Sequence, residues 1–210
     1  MLDFVLHFDK HLLDFVQAYG AWVYGLLFAI VFAETGFVVT PFLPGDSLLF
    51  AAGALCATGS LSTPVAGGLL VTAAFAGNAV NYSIGRVVGP RVFSAHDSAG
   101  ISHRLLNREH LGRAHAFFEE YGGKAVVLSR FMPIVRTFLP FVAGAAAMRA
   151  SAFGVYNLIG ALGWVTLCLG AGFFFGNIPV IKQNFSLVTI GIVIVSVLPM
   201  VIEYLRRRSR

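Results

Sequence analysis

The sequence predicts an all-α integral membrane protein, built as a helical bundle, and three observations carry that reading. First, 57% of its 210 residues are hydrophobic and only 12% are charged, well below the roughly 25% charged content of an ordinary soluble domain. Second, apolar runs cover about residues 18–43, 47–61, 64–84, 125–147, 152–181 and 185–202. Several approach the roughly 20 residues a helix needs to cross the hydrocarbon core. Third, the cations gather in the stretch 86–124 and in the terminal Arg-Arg-Arg-Ser-Arg, as expected of segments retained on the cytoplasmic side. A basic soluble domain, which nucleic-acid binding would require, is missing.

From the N-terminus, residues 1–19 carry repeated acids and lack a basic start and a small-residue cleavage site, unlike a signal peptide. Leu2, Val5, Leu6, Leu12, Leu13 and Val16 suggest instead an amphipathic helix on the membrane surface. Residues 20–180 form the expected membrane domain. It includes a polar cytoplasmic connector at 90–123, which ends in the amphipathic "AFFEEYGG". Residues 181–210 supply a final transmembrane helix and the basic tail. With that tail inside, helix 185–202 leads out, the loop GNIPVIKQN is outside, and helix 152–175 leads back in. Segment 125–147 then begins and ends on one face, which fits a re-entrant hairpin and not a simple span.

The chemistry of that segment agrees. Pro133 and Pro140 interrupt helical hydrogen bonding, and Arg130 and Arg136 would be costly against lipid. Irregular backbone at membrane depth is tolerated only when buried in protein or lining a wet cavity. The stretch FAETGFVVTPFLPGDSLLF, residues 32–50, has the same grammar, with Pro41, Pro44 and Gly45 between the acids Glu34 and Asp46. Compared directly, "FLPGDSLLFAAGAL" and "FMPIVRTFLPFVAGAAAM" each run aromatic, apolar residue, proline, a charge two or three places on, then Ala-Gly, with spacings that differ by two residues. Two interrupted segments in corresponding halves point to a transporter site built from discontinuous helices. The expected architecture is two opposing re-entrant hairpins in an inverted-repeat-like arrangement.

Glu34 sits inside "GLLFAIVFAETGFVV", where an ionised side chain is expensive and calls for a function and a partner. Asp46, ahead of Ser-Leu-Leu-Phe, suits a helix N-cap, a job compatible with facing a cavity. Arg130 is six residues from Lys124 and could snorkel to the interface, whereas Arg136, beyond Pro133, lies too deep for that. Two acids in one broken segment and two arginines in the other can neutralise each other, and the arginines can bind an arriving phosphate with forked hydrogen bonds. Arg86, between Gly85 and Gly89, is a positive-inside anchor or an accessory phosphate contact. Asn78, Asn81 and Asn157 read as interhelical glue, with Asn157 also an accessory site candidate. His96, His103 and His110 recur every seven residues without the acids or cysteines of a metal site and read as a solvated face. Cys56 and Cys168 read as core residues, giving neither a disulfide framework nor a zinc pattern. No phosphate loop, nucleophile elbow or metalloprotease signature is present, which weighs against an enzyme; no cofactor or metal is expected.

Laid out in order, these residues resemble the DedA family of bacterial membrane proteins, whose shared region is also called the VTT or SNARE-associated domain. The resemblance covers roughly residues 20–180. It rests on Glu34-Thr35-Gly36, Pro44 through Leu49 with Ala52-Gly53, Gly85 through Gly89, Phe117 through Gly122, and Arg130 through Thr137, followed by Ala143-Gly144, Met148, Phe153, Asn157, Gly160 and Trp164. It implies two membrane-inserted re-entrant hairpins, with the family's important acids and arginines at Glu34, Asp46, Arg130 and Arg136. It also implies lipid translocation. The expected function is therefore transport of a lipid with a phosphate headgroup, most readily undecaprenyl phosphate, from the outer to the cytoplasmic leaflet of the bacterial inner membrane. The arginines would bind substrate, and the acids would pair with them or carry a proton. The expected partners are that lipid and the surrounding membrane lipids, with a homo-oligomer left open. Competing expectations are a phospholipid flippase or scramblase, a proton-coupled transporter of a small cation, and a non-transporting membrane organiser.

Overall fold

The structure, a computed structural model, describes residues 20–37, 45–94 and 108–178. The N-terminal amphipathic segment, the prolines at 41 and 44, His96, His103, helix 185–202 and the basic tail lie outside the described residues. Among the described residues every regular element is helical. In chain order they are α1 (Ala21–Gly36), α2 (Gly45–Ala57), α3 (Thr63–Ser94), α4 (Arg108–Tyr121), α5 (Lys124–Leu128), a 3-10 turn (Ser129–Phe131), α6 (Pro133–Ala145) and α7 (Ala150–Gly176).

Local chemistry sets these boundaries. Helix α2 stops at Thr58-Gly59: Gly59 takes a left-handed φ of 78°, and the amides of Gly59 and Ser60 bond back to the carbonyls of Cys56 and Leu55. That is the Schellman arrangement a glycine permits. Helix α3 begins immediately after, with Pro64 in its first turn, where a missing amide hydrogen costs nothing. It runs to Ser94, more than two turns past the apolar run and through Pro90, so its last residues belong to the segment expected as connector. Helix α6 starts on Pro133 after an extended Met132 (φ −117°, ψ 108°) and ends in the same Schellman pattern as α2, here with Ala147 at φ 54°.

Long-range contacts divide the chain into two units. In the first, α2 lies directly on the C-terminal half of α7. A side chain on Gly53 would collide with the Leu169 carbonyl, one on Gly172 with the Phe50 carbonyl, and one on Gly176 with Ala54. In the second, α6 lies on α3 in the same way: Gly144 against the Tyr82 carbonyl, Gly85 against that of Phe141, and Gly89 against Ala145. The two sets match residue for residue. Phe50-Ala-Ala-Gly-Ala corresponds to Phe141-Val-Ala-Gly-Ala, while Leu169, Gly172 and Gly176 keep the spacing of Tyr82, Gly85 and Gly89. The repeat that the primary sequence hints at is thus one packing solution used twice, with small residues letting helix backbones touch.

The second unit has a core in which Ala125 and Val126 of α5 meet Val135, Phe138, Leu139 and Val142 of α6, with Phe117 and Phe118 of the amphipathic α4 against it. Segment 125–147 is therefore a helix, a break and a helix folded on one another. At 1.5 Å per residue α5 is about 8 Å long and α6 about 20 Å, both short of the roughly 30 Å hydrocarbon core. Helices α3 and α7 contain apolar stretches of 27 residues each, long enough to cross. Trp22, Val155, Ile159, Leu167 and Phe174 are each more than half exposed, an apolar surface that suits lipid and not water.

Valine in place of Gly53 or of Gly144 is expected to lower stability in detergent by roughly 3 kcal/mol, because overpacking there meets backbone that has nowhere to move. Gly163→Ala, where a Cβ meets nothing within 4 Å, is expected to raise it by about 0.5–1 kcal/mol through helix propensity alone. Thermal unfolding of the purified variants checks both.

Candidate functional site

Within the second unit, five elements deliver polar side chains to one place. Helices α1 and α3 cross at Gly36 and Gly77, where a Cβ on Gly36 would lie 3.4 Å from the Gly77 Cα. Thr35 turns its hydroxyl back to the Val31 carbonyl at 2.8 Å. This close crossing carries Glu34, 4% exposed, into the interior. Its Oε1 accepts a hydrogen bond of 2.6 Å from Arg136 Nη2 on the first turns of α6. Pro140, one turn on, supplies no amide hydrogen for the Arg136 carbonyl. Next to it, Asn81 Nδ2 of α3 donates to the Thr137 carbonyl at 2.9 Å and reaches that of Thr35 at 3.4 Å, tying α1, α3 and α6 together.

Arg130, on the 3-10 turn, is held differently. It is 5% exposed, and its Nη2 donates to Asn157 Oδ1 at 2.7 Å and to the Ala74 carbonyl at 3.3 Å. Asn157 in turn donates to the Phe75 carbonyl at 3.0 Å. The Asn78 amide donates from Nδ2 to the same Asn157 Oδ1 at 3.0 Å. Gly160 makes room: a Cβ there would lie 3.0 Å from Arg130 Cδ and Nε. Trp164 completes the group, its ring centroid 5.8 Å from the Cζ of each arginine, within cation–π range.

Between Glu34, Thr35, Asn78, the two arginines, Thr137 and Trp164 lies a cavity of about 20 Å³, room for about one water molecule. Two guanidiniums and one carboxylate face it. It can hold an anion only if the ion pair opens.

Of the residues singled out in the sequence, Glu34, Arg130, Arg136 and Asn157 come together here. Asp46 stands in the first turn of α2, exposed, and belongs to the other unit. Arg86 lies outside the cavity; its Nη1 donates to Tyr82 Oη at 2.8 Å and reaches the Met148 carbonyl, to which Tyr82 Oη also donates, so it fastens the turn after α6 to α3. Sequence reasoning missed Trp164 as a site residue. The signal was there in the spacing: Asn157, Gly160, Ala161 and Trp164 fall at i, i+3, i+4 and i+7 on one face of α7.

A helical membrane protein with ionised groups buried around a small polar cavity is the class that fold and site define. Residues 43–174 match the VTT domain. The chain is 50% identical over 210 residues to Protein DedA of Escherichia coli strain K12, covering 99% of this chain and 94% of that one. It is 38% identical over 192 residues to an uncharacterized membrane protein, Rv0364, of Mycobacterium tuberculosis, covering 90% and 81%. Inner membrane protein YqjA of Escherichia coli strain K12 is 36% identical over 158 residues, covering 75% and 70%. No solved structure matches the chain. The chain belongs to the DedA family.

Glu34→Ala and Arg136→Ala are each expected to cost about 3 kcal/mol of stability, because each leaves the opposite charge buried without its counter-ion. The double variant is expected to lose clearly less than the sum. Denaturant unfolding of the three proteins in detergent gives the coupling energy directly.

Proposed function

We propose that this protein is a lipid translocase of the bacterial inner membrane that moves a lipid with an anionic phosphate headgroup, undecaprenyl phosphate first among candidates, from the outer to the cytoplasmic leaflet. The observation that carries the reading is the charge balance of the buried site: Arg130 and Arg136 are two cations, and Glu34 is one anion against them. A phosphate bearing on the pair meets two planar donor forks. A small cation would meet repulsion, which disfavours the cation-transporter reading. A non-transporting organiser would have no use for charges buried at this cost.

In this reading the folded-back segment 125–147 is a re-entrant hairpin entering and leaving on the cytoplasmic face, and α2 belongs to a second one. Support comes from limbs too short to span and from the packing shared by α2 and α6. Glu34, and Asp46 at the start of α2, take up protons as the headgroup passes. Neutralising the charge in transit avoids work against the membrane potential, roughly 2.3 kcal/mol per elementary charge per 100 mV. The relative YqjA is named an inner membrane protein, which supports the location.

In vesicles containing the purified protein, undecaprenyl phosphate is expected to cross leaflets faster than in protein-free vesicles, with Arg136→Ala at the protein-free rate. Lysine at 136 should restore only part of the activity, since it keeps the charge and loses the fork. Equal movement of a neutral polyprenol would overturn phosphate recognition.

A further inference from the structure

The two arginines of the site are not equivalent. Arg136 is met by a carboxylate. Arg130 is more deeply buried, and the hydrogen-bond partners of its guanidinium are neutral: the Asn157 amide oxygen and the Ala74 carbonyl. Its Nε is buried with no acceptor. Asn157 is fully buried, and because the Phe75 carbonyl can only accept, the bond of 3.0 Å from Asn157 Nδ2 fixes which end of the amide faces the arginine.

We propose that Asn157 is the positioning residue that keeps Arg130 charged, oriented and uncompensated, so that the site binds a phosphate monoester or phosphate dianion through Arg130. An aspartate has the same shape as asparagine and would satisfy the same guanidinium hydrogen more strongly. It would also cancel the charge. An amide dipole orients the fork and leaves the full cation for an incoming anion, and the unused Nε is a donor ready for one of its oxygens. Arg136, already paired with Glu34, is the arginine that must be released to open the cavity to the anion. The roles divide accordingly: Arg130 is the resident anion site, and Arg136 is the group that closes over it. This assignment rests on the anionic-lipid reading above and deepens it.

The test uses the full chain and substitutes Asn157→Asp, with Asn78→Asp as an independent variant that brings a carboxylate to the same guanidinium from another helix. Stability without ligand, stabilisation by inorganic phosphate, stabilisation by undecaprenyl phosphate, and leaflet exchange in vesicles are measured for each. Asn157→Asp is expected to fold with stability near that of the wild type, because the carboxylate gained against a buried cation offsets the lost donor to the Phe75 carbonyl. Its response to both phosphates should weaken by roughly tenfold or more, and its transport should fall to the protein-free rate. Asn157→Ala should lose stability and anion response together. A merely structural Asn157 would move stability without separating it from anion response, so an aspartate variant that keeps wild-type phosphate response overturns the inference. So does failure of both aspartate variants to fold, since the carboxylate should offset burial. If wild-type protein responds to the lipid and not to inorganic phosphate, the site is specific for the lipid-borne group. If it responds to neither, the inference falls. If it binds phosphate and moves no lipid, the translocase reading fails while the role of Asn157 is still decided by the binding comparison.

Discussion

A guanidinium taken out of water must be met by acceptors inside the protein, and the arrangement of the second unit follows from that requirement at Arg130. A long apolar helix has few acceptors to offer, because its carbonyls are already bonded along the helix and its side chains are hydrocarbon. The solution combines two carbonyls of one turn of α3, those of Ala74 and Phe75, with amides from α3 and α7. Such contacts need helices that approach closely. Gly160 beside the arginine and Gly77 beside Thr35 provide the approach, and the small residues come before the polar chemistry in the logic of the fold.

One face of α3 shows how the two demands are divided. Ala74, Asn78, Asn81, Gly85 and Gly89 follow one another at intervals of three and four residues and so share a stripe. Its first half presents a carbonyl and two amides to the charged site. Its second half presents bare backbone to α6. Fixing α6 against the glycine half sets where Arg136 and the Thr137 carbonyl fall along the amide half. A side chain on Gly85 would therefore act on the site without touching it.

Much of this was legible in the primary sequence because charges inside apolar runs are expensive and stand out. Glu34, Arg130 and Arg136 announce themselves that way, and Pro133 and Pro140 mark the break between them. The Glu34–Arg136 bond, between residues 102 apart in the chain, was foreseen only as one of several pairings, since composition gives the charges and not the register that joins them. Trp164 was hidden because an aromatic in an apolar helix is ordinary until its neighbours are known. The packing shared by α2 and α6 was blurred by the two-residue offset between the prolines and the Ala-Gly pairs, although the contacts begin only after that offset. Arg86 reads in the sequence as a positive-inside anchor or an accessory phosphate contact, and the glycines that flank it pack against α6.

The size of the cavity decides how such a site can work. About 20 Å³ admits one water, and a phosphate with its oxygens does not fit beside an intact Glu34–Arg136 pair. Any anion that engages both arginines must draw Arg136 away from Glu34. That state is costly unless the carboxylate takes up a proton or meets water. In the proposed transport, anion entry would be linked to protonation or hydration of Glu34, and such a linkage is reciprocal: whatever favours the one favours the other by the same factor. Proton dependence of the proposed transport would then require no separate proton channel. It follows from placing one carboxylate and two guanidiniums around a space too small for all of them and a substrate.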